Sequence, residues 1–196
     1  MLPLGPFAGI EVSTSGIKVM LAGFELFPSV AKRLLAAQGV IAPGADGQMA
    51  VQERWIPLDS WLAVHEAVRK EIGANALFRF GNAILENPKF PAWIRDIDSA
   101  LESIDIAYHR SHRKNGVLMY DQATGRMLEG IGHYRARRAA ASQRIEVTCD
   151  TPYPCMVELG IVTKMASKFE SKSRTEHGPG PCRDKNGSSC NYIVVW

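Results

Sequence analysis

The sequence predicts an α+β domain, a helical N-terminal half packed on an antiparallel sheet. Two observations lead there. Up to about residue 112 the apolar residues recur with the 3.6 period of helices, and after Asn115-Gly116 the period shortens to two. A third observation bounds the size: 196 residues suffice for one well-packed domain, so residues 1–196 read as a single unit, with 1–74 as its helical N-terminal portion.

The elements follow in order. Residues 1–27 mix Gly, Ser and apolar residues without a clear period; Ile10-Glu-Val and Ile17-Lys-Val-Met-Leu read as short strands, or the second as a helix start. Pro28–Gln38 is a helix with Val30, Leu34 and Leu35 on one face and Gly39 as its stop. A loop covers 40–53. A second helix opens near Asp59 or Ser60, carries Leu62, His65, Val68 and Ile72, and ends at Gly73. A third spans Asn75–Glu86 with Leu77, Phe80, Ile84 and Leu85, and Asn87-Pro88 breaks it. The longest helix starts at Pro91 and runs to about His109 or His112. Its stripe is Trp93, Ile94, Ile97, Leu101, Ile104 and Tyr108, and Asp96, Asp98, Glu102 and Asp105 form the wet face.

Beyond Asn115, Val117–Asp121 and Met127–Tyr134 read as a hairpin around Ala123-Thr-Gly125, and Arg144–Cys149 as a third strand. Pro152-Tyr-Pro-Cys155 leads into a helix with Val157, Ile161, Met165 and Phe169 along its stripe. Lys172–His177 and Asn191–Trp196 are two further strands. There is no internal repeat and no low-complexity segment.

Composition narrows the function classes. Hydrophobic residues are 46% and charged residues 22%, an ordinary soluble profile. A net charge of +3 with scattered bases does not argue for direct nucleic-acid binding. No apolar run reaches a membrane-spanning length, and Met1-Leu-Pro-Leu-Gly-Pro lacks the basic start and apolar core of a secretory signal. A cytoplasmic, reducing environment is expected, where clustered cysteines are more often metal ligands or free thiols than disulfides.

The cysteines carry the strongest chemical signal. Cys182 and Cys190 are eight positions apart, enclose Gly187 and directly precede an apolar strand, so a tight turn can set both thiols on one side. Cys155 lies at a helix start. With a fourth ligand, His177 or Glu176, these three make a tetrahedral structural zinc site. With Cys149 instead, the four cysteines suit an iron–sulfur cluster. Four small buried hydrophobes explain the same residues equally well.

Two other sets are weaker. In Tyr134-Arg-Ala-Arg-Arg138 alternate residues share a strand face, so Tyr134 and Arg138 can clamp a carboxylate or propionate; a basic strand end in solvent is the plainer explanation. His109 and His112 are three apart at a helix end and can share a face toward a metal or haem iron. His65 and His133 are isolated. No G-x-S-x-G, P-loop, Rossmann glycine run or H-E-x-x-H is present, which favours a binding or sensing role over an enzyme.

From about residue 75 onward the pattern resembles the superfamily that joins haem nitric-oxide/oxygen-binding (H-NOX) sensors with the vinyl-reductase-type ligand-binding domain. The latter also occurs in phenol-sensing activators. Tyr134-x-Ala-x-Arg138, then a strand, then the helix Cys155–Phe169 is similar to the H-NOX tyrosine–serine–arginine motif and the segment after it. Cys155, Cys182 and Cys190 are similar to the zinc-binding end of the phenol sensors. The chain departs from these patterns: Ala136 stands for the motif serine, His109 is the nearest proximal histidine only after a shift of a few residues, and Pro179 stands where the phenol sensors place a glutamate ligand.

The resemblance implies an H-NOX/vinyl-reductase-like fold. It also implies an apolar pocket for an aromatic or tetrapyrrole-like small molecule and a separate signalling output protein, and it leaves room for a homodimer. Structural zinc is the expected cofactor; a haem gas sensor, an iron–sulfur protein and a tetrapyrrole-related accessory enzyme are the alternatives. Tyr108, His109, Tyr134 and Arg138 are the expected ligand-binding residues, because each sets a polar group beside an apolar stripe. Trp93, Ile97, Leu101, Ile104, Met119 and Ile131 are the apolar residues of the expected pocket.

Overall fold

The computed structural model describes residues 5–15, 28–44, 48–50, 54–85, 90–140 and 142–196. The expected strand or helix start at 17–21 and the break at Asn87-Pro88 lie outside the described residues, as does part of the loop 40–53. Five helices and two four-stranded antiparallel sheets, with one short two-stranded ribbon, make up the regular structure of the described residues. The helix-plus-antiparallel-sheet class is as predicted. The chain divides into two compact units, Met1–Ala76 with His109–Gly130, and Leu77–Tyr108 with Ile131–Trp196.

The first unit is less helical than the sequence suggests. Strands β1 (Ile10–Ser13), β4 (Trp55–Pro57), β5 (His112–Lys114) and β6 (Val117–Leu118) form a sheet in the order β4-β1-β5-β6, and β2 (Ala42–Pro43) pairs with β3 (Met49–Ala50). These strands hold two to four residues, too few for alternation to register in the sequence. Helix α1 (Pro28–Ala37) buries Ala31, Leu34 and Leu35. Helix α2 (Leu58–Glu71) buries Leu58, Trp61, Val64, His65 and Val68, a face turned from the expected one because Leu62 and Ile72 are only half-buried.

Asn115-Gly116 is a turn, as expected, but it joins β5 to β6. Asn115 and Gly116 have φ of 49° and 82°, the left-handed pair that matches a two-residue hairpin. Val117–Asp121 and Met127–Tyr134 do not form the long hairpin read from the sequence. Only Tyr120 and Met127 bridge, and Leu128 donates to the Met119 carbonyl. Because His112 is on β5, it does not share a helical face with His109.

The second unit holds helices α3 (Ala74–Ile84, from Leu77 on), α4 (Ile97–Arg110, as far as Tyr108) and α5 (Cys155–Phe169). Its sheet has the order β7-β8-β10-β9, with β7 Tyr134–Arg138, β8 Arg144–Cys149, β9 Arg174–His177 and β10 Cys190–Val195. Strand β8 alternates strictly, turning Ile145, Val147 and Cys149 inward, and α5 lies against β9 and β10. Helices α3 and α5 touch through glycines: a Cβ on Gly160 would sit 2.3 Å from the Phe78 carbonyl oxygen, and one on Gly81 2.1 Å from that of Val157.

Two expectations about α4 are corrected. It begins at Ile97 rather than Pro91, because Asp96 and Ser99 form a capping box. The Ser99 N–H donates to Asp96 Oδ1 at 2.9 Å, and the Asp96 N–H donates to Ser99 Oγ at 3.2 Å. Trp93 therefore precedes the helix and is 44% exposed, off the buried stripe. Asp105 is not on a wet face. It is half-buried and accepts from the Tyr134 N–H at 2.9 Å and lies 2.9 Å from His133 Nδ1.

Candidate metal centre

Four short pieces of chain in the second unit converge on one spot. The Pro152-Tyr-Pro-Cys155 approach starts α5 abruptly, with Pro154 as its N-cap (φ −58°, ψ 141°), and sets Cys155 in the first turn. Strand β9 ends at His177. After Cys182 the chain makes a single 3₁₀ turn, Arg183–Lys185, and Asn186 is left-handed. The N–H groups of Lys185 and Gly187 both donate to the Cys182 carbonyl, at 2.9 and 2.8 Å. Gly187 comes so close that a Cβ there would lie 2.6 Å from the Cys182 nitrogen, so the fold-back on Cys182 requires glycine. Strand β10 then opens with Cys190.

The ligand atoms of Cys155, His177, Cys182 and Cys190 all lie within 4.8 Å of one another, and the Cys155 and Cys182 sulfurs are 3.9 Å apart. A tetrahedral zinc with bonds of about 2.3 Å spaces its sulfurs by roughly 3.8 Å, so the set is close to metal-binding dimensions. The donor chemistry also fits. His177 Nδ1 lies 2.8 Å from the Gly178 carbonyl oxygen, which fixes the tautomer with the proton on Nδ1. That leaves Nε2 as the lone-pair nitrogen, and it is buried without a hydrogen-bond partner. The fourth member is thus His177. Glu176, on the opposite face of β9, is exposed, as is Pro179. Cys149 faces Cys190 across β8 and β10 but is not in the group of four, so the structure assembles three thiols and an imidazole rather than four thiols.

Electrostatics prepare one sulfur. All four cysteines are buried and unlinked. Cys155 and Cys190 form a coupled pair: hydrogen bonding from the Cys155 thiol holds Cys190 well below the usual thiol range, and Cys155 moves up in return. The Arg183 N–H, 3.5 Å from Cys190 Sγ, supports the same thiolate. Burial pushes the Cys149 thiol up instead.

Beneath the four ligands lies a polar network that sequence reasoning missed. Glu158, on α5, has no exposed surface, and burial raises its carboxyl to about 8 against the opposing pull of Arg183. It accepts from Thr151 Oγ1 and from the Arg183 guanidinium, and Tyr192 Oη lies 3.0 Å from it. Arg183 also donates to the carbonyls of Cys149 (3.2 Å) and Tyr153 (2.8 Å), and Tyr192 Oη donates to that of Cys155 (2.8 Å). Glu158 and Arg183 are 25 positions apart, and nothing local in the sequence pairs them.

The expected ligand-binding residues are arranged differently. Tyr108 is buried and donates to the Ile131 carbonyl at 2.7 Å, and its ring meets the rings of Tyr134 and Tyr153 edge-on at 5.4 and 5.9 Å. Tyr134 is buried, and burial lifts its phenol well above the ordinary value. Arg138, on the same strand face, spends its guanidinium on both oxygens of Asp98 and on the Ser142 carbonyl, and it stacks 4.6 Å over Trp196. His109 is fully buried near the end of α4. As a propionate clamp, this strand face does not fit as it stands: Ala136 has no hydroxyl and Asp98 already fills the Arg138 fork.

No family model and no curated protein matches this sequence. Solved structures do match. A Tt H-NOX variant aligns with a TM-score of 0.58 and 15% identity over 93% of this chain and 94% of its own. An H-NOX protein from S. oneidensis, solved in the Fe(II)NO ligation state, aligns at 0.55 and 13% over 90% and 96%. A protein solved in work on modulating haem redox potential through porphyrin distortion aligns at 0.58 and 14% over 94% and 99%. The chain has the fold of H-NOX domains. Among the described residues no helix is long and apolar enough to cross a membrane.

Proposed function

We propose that this chain is a sensory, ligand-binding domain on the H-NOX fold, with a structural zinc site at the C-terminal end of its second unit. The observation that carries the zinc assignment is the convergence of Cys155, His177, Cys182 and Cys190, whose ligand atoms all lie within 4.8 Å of one another. Zinc held there cross-links the start of α5, the end of β9 and both ends of the 182–190 loop. That contributes folding energy rather than chemistry, since four protein ligands leave no open position. In a tagless preparation, metal analysis should find about one zinc per chain. Metal-free protein whose thermal stability ignores chelators would overturn the assignment.

A haem-binding gas sensor is the reading of the ligand that the fold favours, since the matching structures are H-NOX proteins and one was solved with Fe(II)NO. Here His109 would be the residue that offers the iron an imidazole. Haem would supply gas binding; the chain's own contribution would be that imidazole. A Soret band on reconstitution that is lost in His109→Ala supports this reading, and no stable haem complex removes it. An apolar or aromatic molecule read out by a partner protein is then the remaining ligand class.

A further inference from the structure

The 182–190 loop owes its position to more than its cysteines. Arg183 follows the ligand Cys182 directly and reaches away from the loop into the protein. Its guanidinium meets the buried Glu158 carboxyl group and the carbonyls of Cys149 and Tyr153. Its backbone N–H points back at Cys190 Sγ. One residue therefore touches the end of β8, the approach to α5, the first turns of α5 and a sulfur of the centre. Its Nε–H is buried and has no acceptor. A buried donor left in that state is costly, and a nearby group that becomes more negative relieves it.

Three thiolates, a neutral imidazole and Zn²⁺ sum to one negative charge, and that charge is formed in a buried place where a fixed cation has a large effect. We propose that Arg183 is a positioning residue of this centre, seating the 182–190 loop for the metal and balancing the charge of its three thiolates. Glu158 is the counter-anchor that keeps the guanidinium in place. This rests on the zinc reading above and adds to it a determinant of affinity outside the ligand set.

The test uses the full chain loaded with zinc, or with cobalt as a coloured substitute, and compares wild type with Arg183→Gln and Arg183→Lys. Arg183→Gln should weaken zinc about 10- to 100-fold in competition with a chromogenic chelator, the usual effect of losing an outer-sphere partner. It should also shift the sulfur-to-cobalt charge-transfer band. Arg183→Lys should return the band toward wild type, because the charge is back, and leave affinity below wild type, because an ammonium lacks the planar fork.

A folded Arg183→Gln with wild-type affinity and band overturns the proposal and leaves the zinc reading standing. A wild-type chain that takes up neither metal removes the zinc reading itself. Where Arg183→Gln does not fold, the wild-type chain answers alone. The ¹⁵N resonance of Arg183 Nε–H should move when zinc is added, and an unmoved resonance overturns the proposal.

Discussion

Two polar constellations in the second unit stand out in the sequence, the cysteine set more strongly than Tyr134 and Arg138, and the structure separates them further. Around Cys155, His177, Cys182 and Cys190, ligand atoms from four pieces of chain lie within 4.8 Å of one another, the imidazole of His177 among three sulfurs. Around Tyr134 and Arg138, the charged groups are matched within the protein. Arg138 is matched by Asp98, Tyr108 by the Ile131 carbonyl, and the Tyr134 N–H by Asp105. Native interiors satisfy their polar atoms. Ligand atoms that face one another mark a candidate metal centre, whereas charges matched within the protein mark a structural joint.

The largest expected effect tests the first half of that contrast. A metal present at about 1,000 times its dissociation constant stabilises the native state by about 4 kcal/mol, and for a chain of this size that is roughly 8–16 °C in melting temperature. Chelation, or Cys182→Ser, should lower the transition by that much in scanning calorimetry, and added zinc should restore only the wild type. An unchanged transition would make the cysteine group a structural joint like the other.

Histidine 65 sharpens the contrast from the opposite side. Like His177 it sets Nδ1 against a backbone carbonyl, that of Trp61 at 2.8 Å, yet no thiol surrounds it. Burial, only partly offset by that bond, lowers its pKa from 6.5 to about 4. The unfolded chain then binds the proton more readily than the folded one between these values, so stability is complete above pH 6.5 and falls as pH drops toward 4. The loss is about 3 kcal/mol at most. Urea titrations of metal-free protein between pH 7 and 4 should show the decline in wild type and a flatter profile in His65→Gln.

What the sequence disclosed follows the same division. Helix α5 was legible because Pro152-Tyr-Pro-Cys fixes its start and its stripe runs four turns. The cysteine set was legible because Gly187 and the flanking strand make a turn-plus-thiol pattern local. The start of α4 was misread because apolar Trp93 and Ile94 extended the stripe past the Asp96–Ser99 capping box, a local signal weaker to the eye than periodicity. The sheet of the first unit, the Glu158–Arg183 pair and the Asp105–His133 contact all join residues far apart in sequence, where neither period nor spacing speaks.

The third prediction concerns the frame that carries α5. Gly160→Ala places a methyl group 2.3 Å from the Phe78 carbonyl oxygen, a backbone atom that cannot rotate away. Helices α3 and α5 must part, at about 2–3 kcal/mol by the usual cost of overpacking. Because Cys155 sits more than a turn away on the same helix, zinc stoichiometry should persist while denaturant stability falls. Loss of zinc together with stability would show that the centre depends on that helix crossing.

The smallest effect tests the second half of the contrast. The Arg138–Asp98 pair is over a third exposed on both sides, so its ionic contribution is under about 1 kcal/mol, and the stacking on Trp196 adds about 0.5–1 kcal/mol. Arg138→Ala should therefore lower stability by about 1 kcal/mol and leave zinc content untouched. Asp98→Asn should cost somewhat less, because it removes the pair and keeps the Trp196 stacking, but it also frees the guanidinium fork. If the strand face carrying Tyr134 and Arg138 is only a joint, neither variant changes how the protein responds to added haem. If it is a latent anion clamp, Asp98→Asn should raise haem retention on a desalting column and Arg138→Ala should abolish it. Opposite signs from two variants that each cost no more than about 1 kcal/mol separate a clamp held shut by Asp98 from a strand end pinned by an ordinary salt bridge.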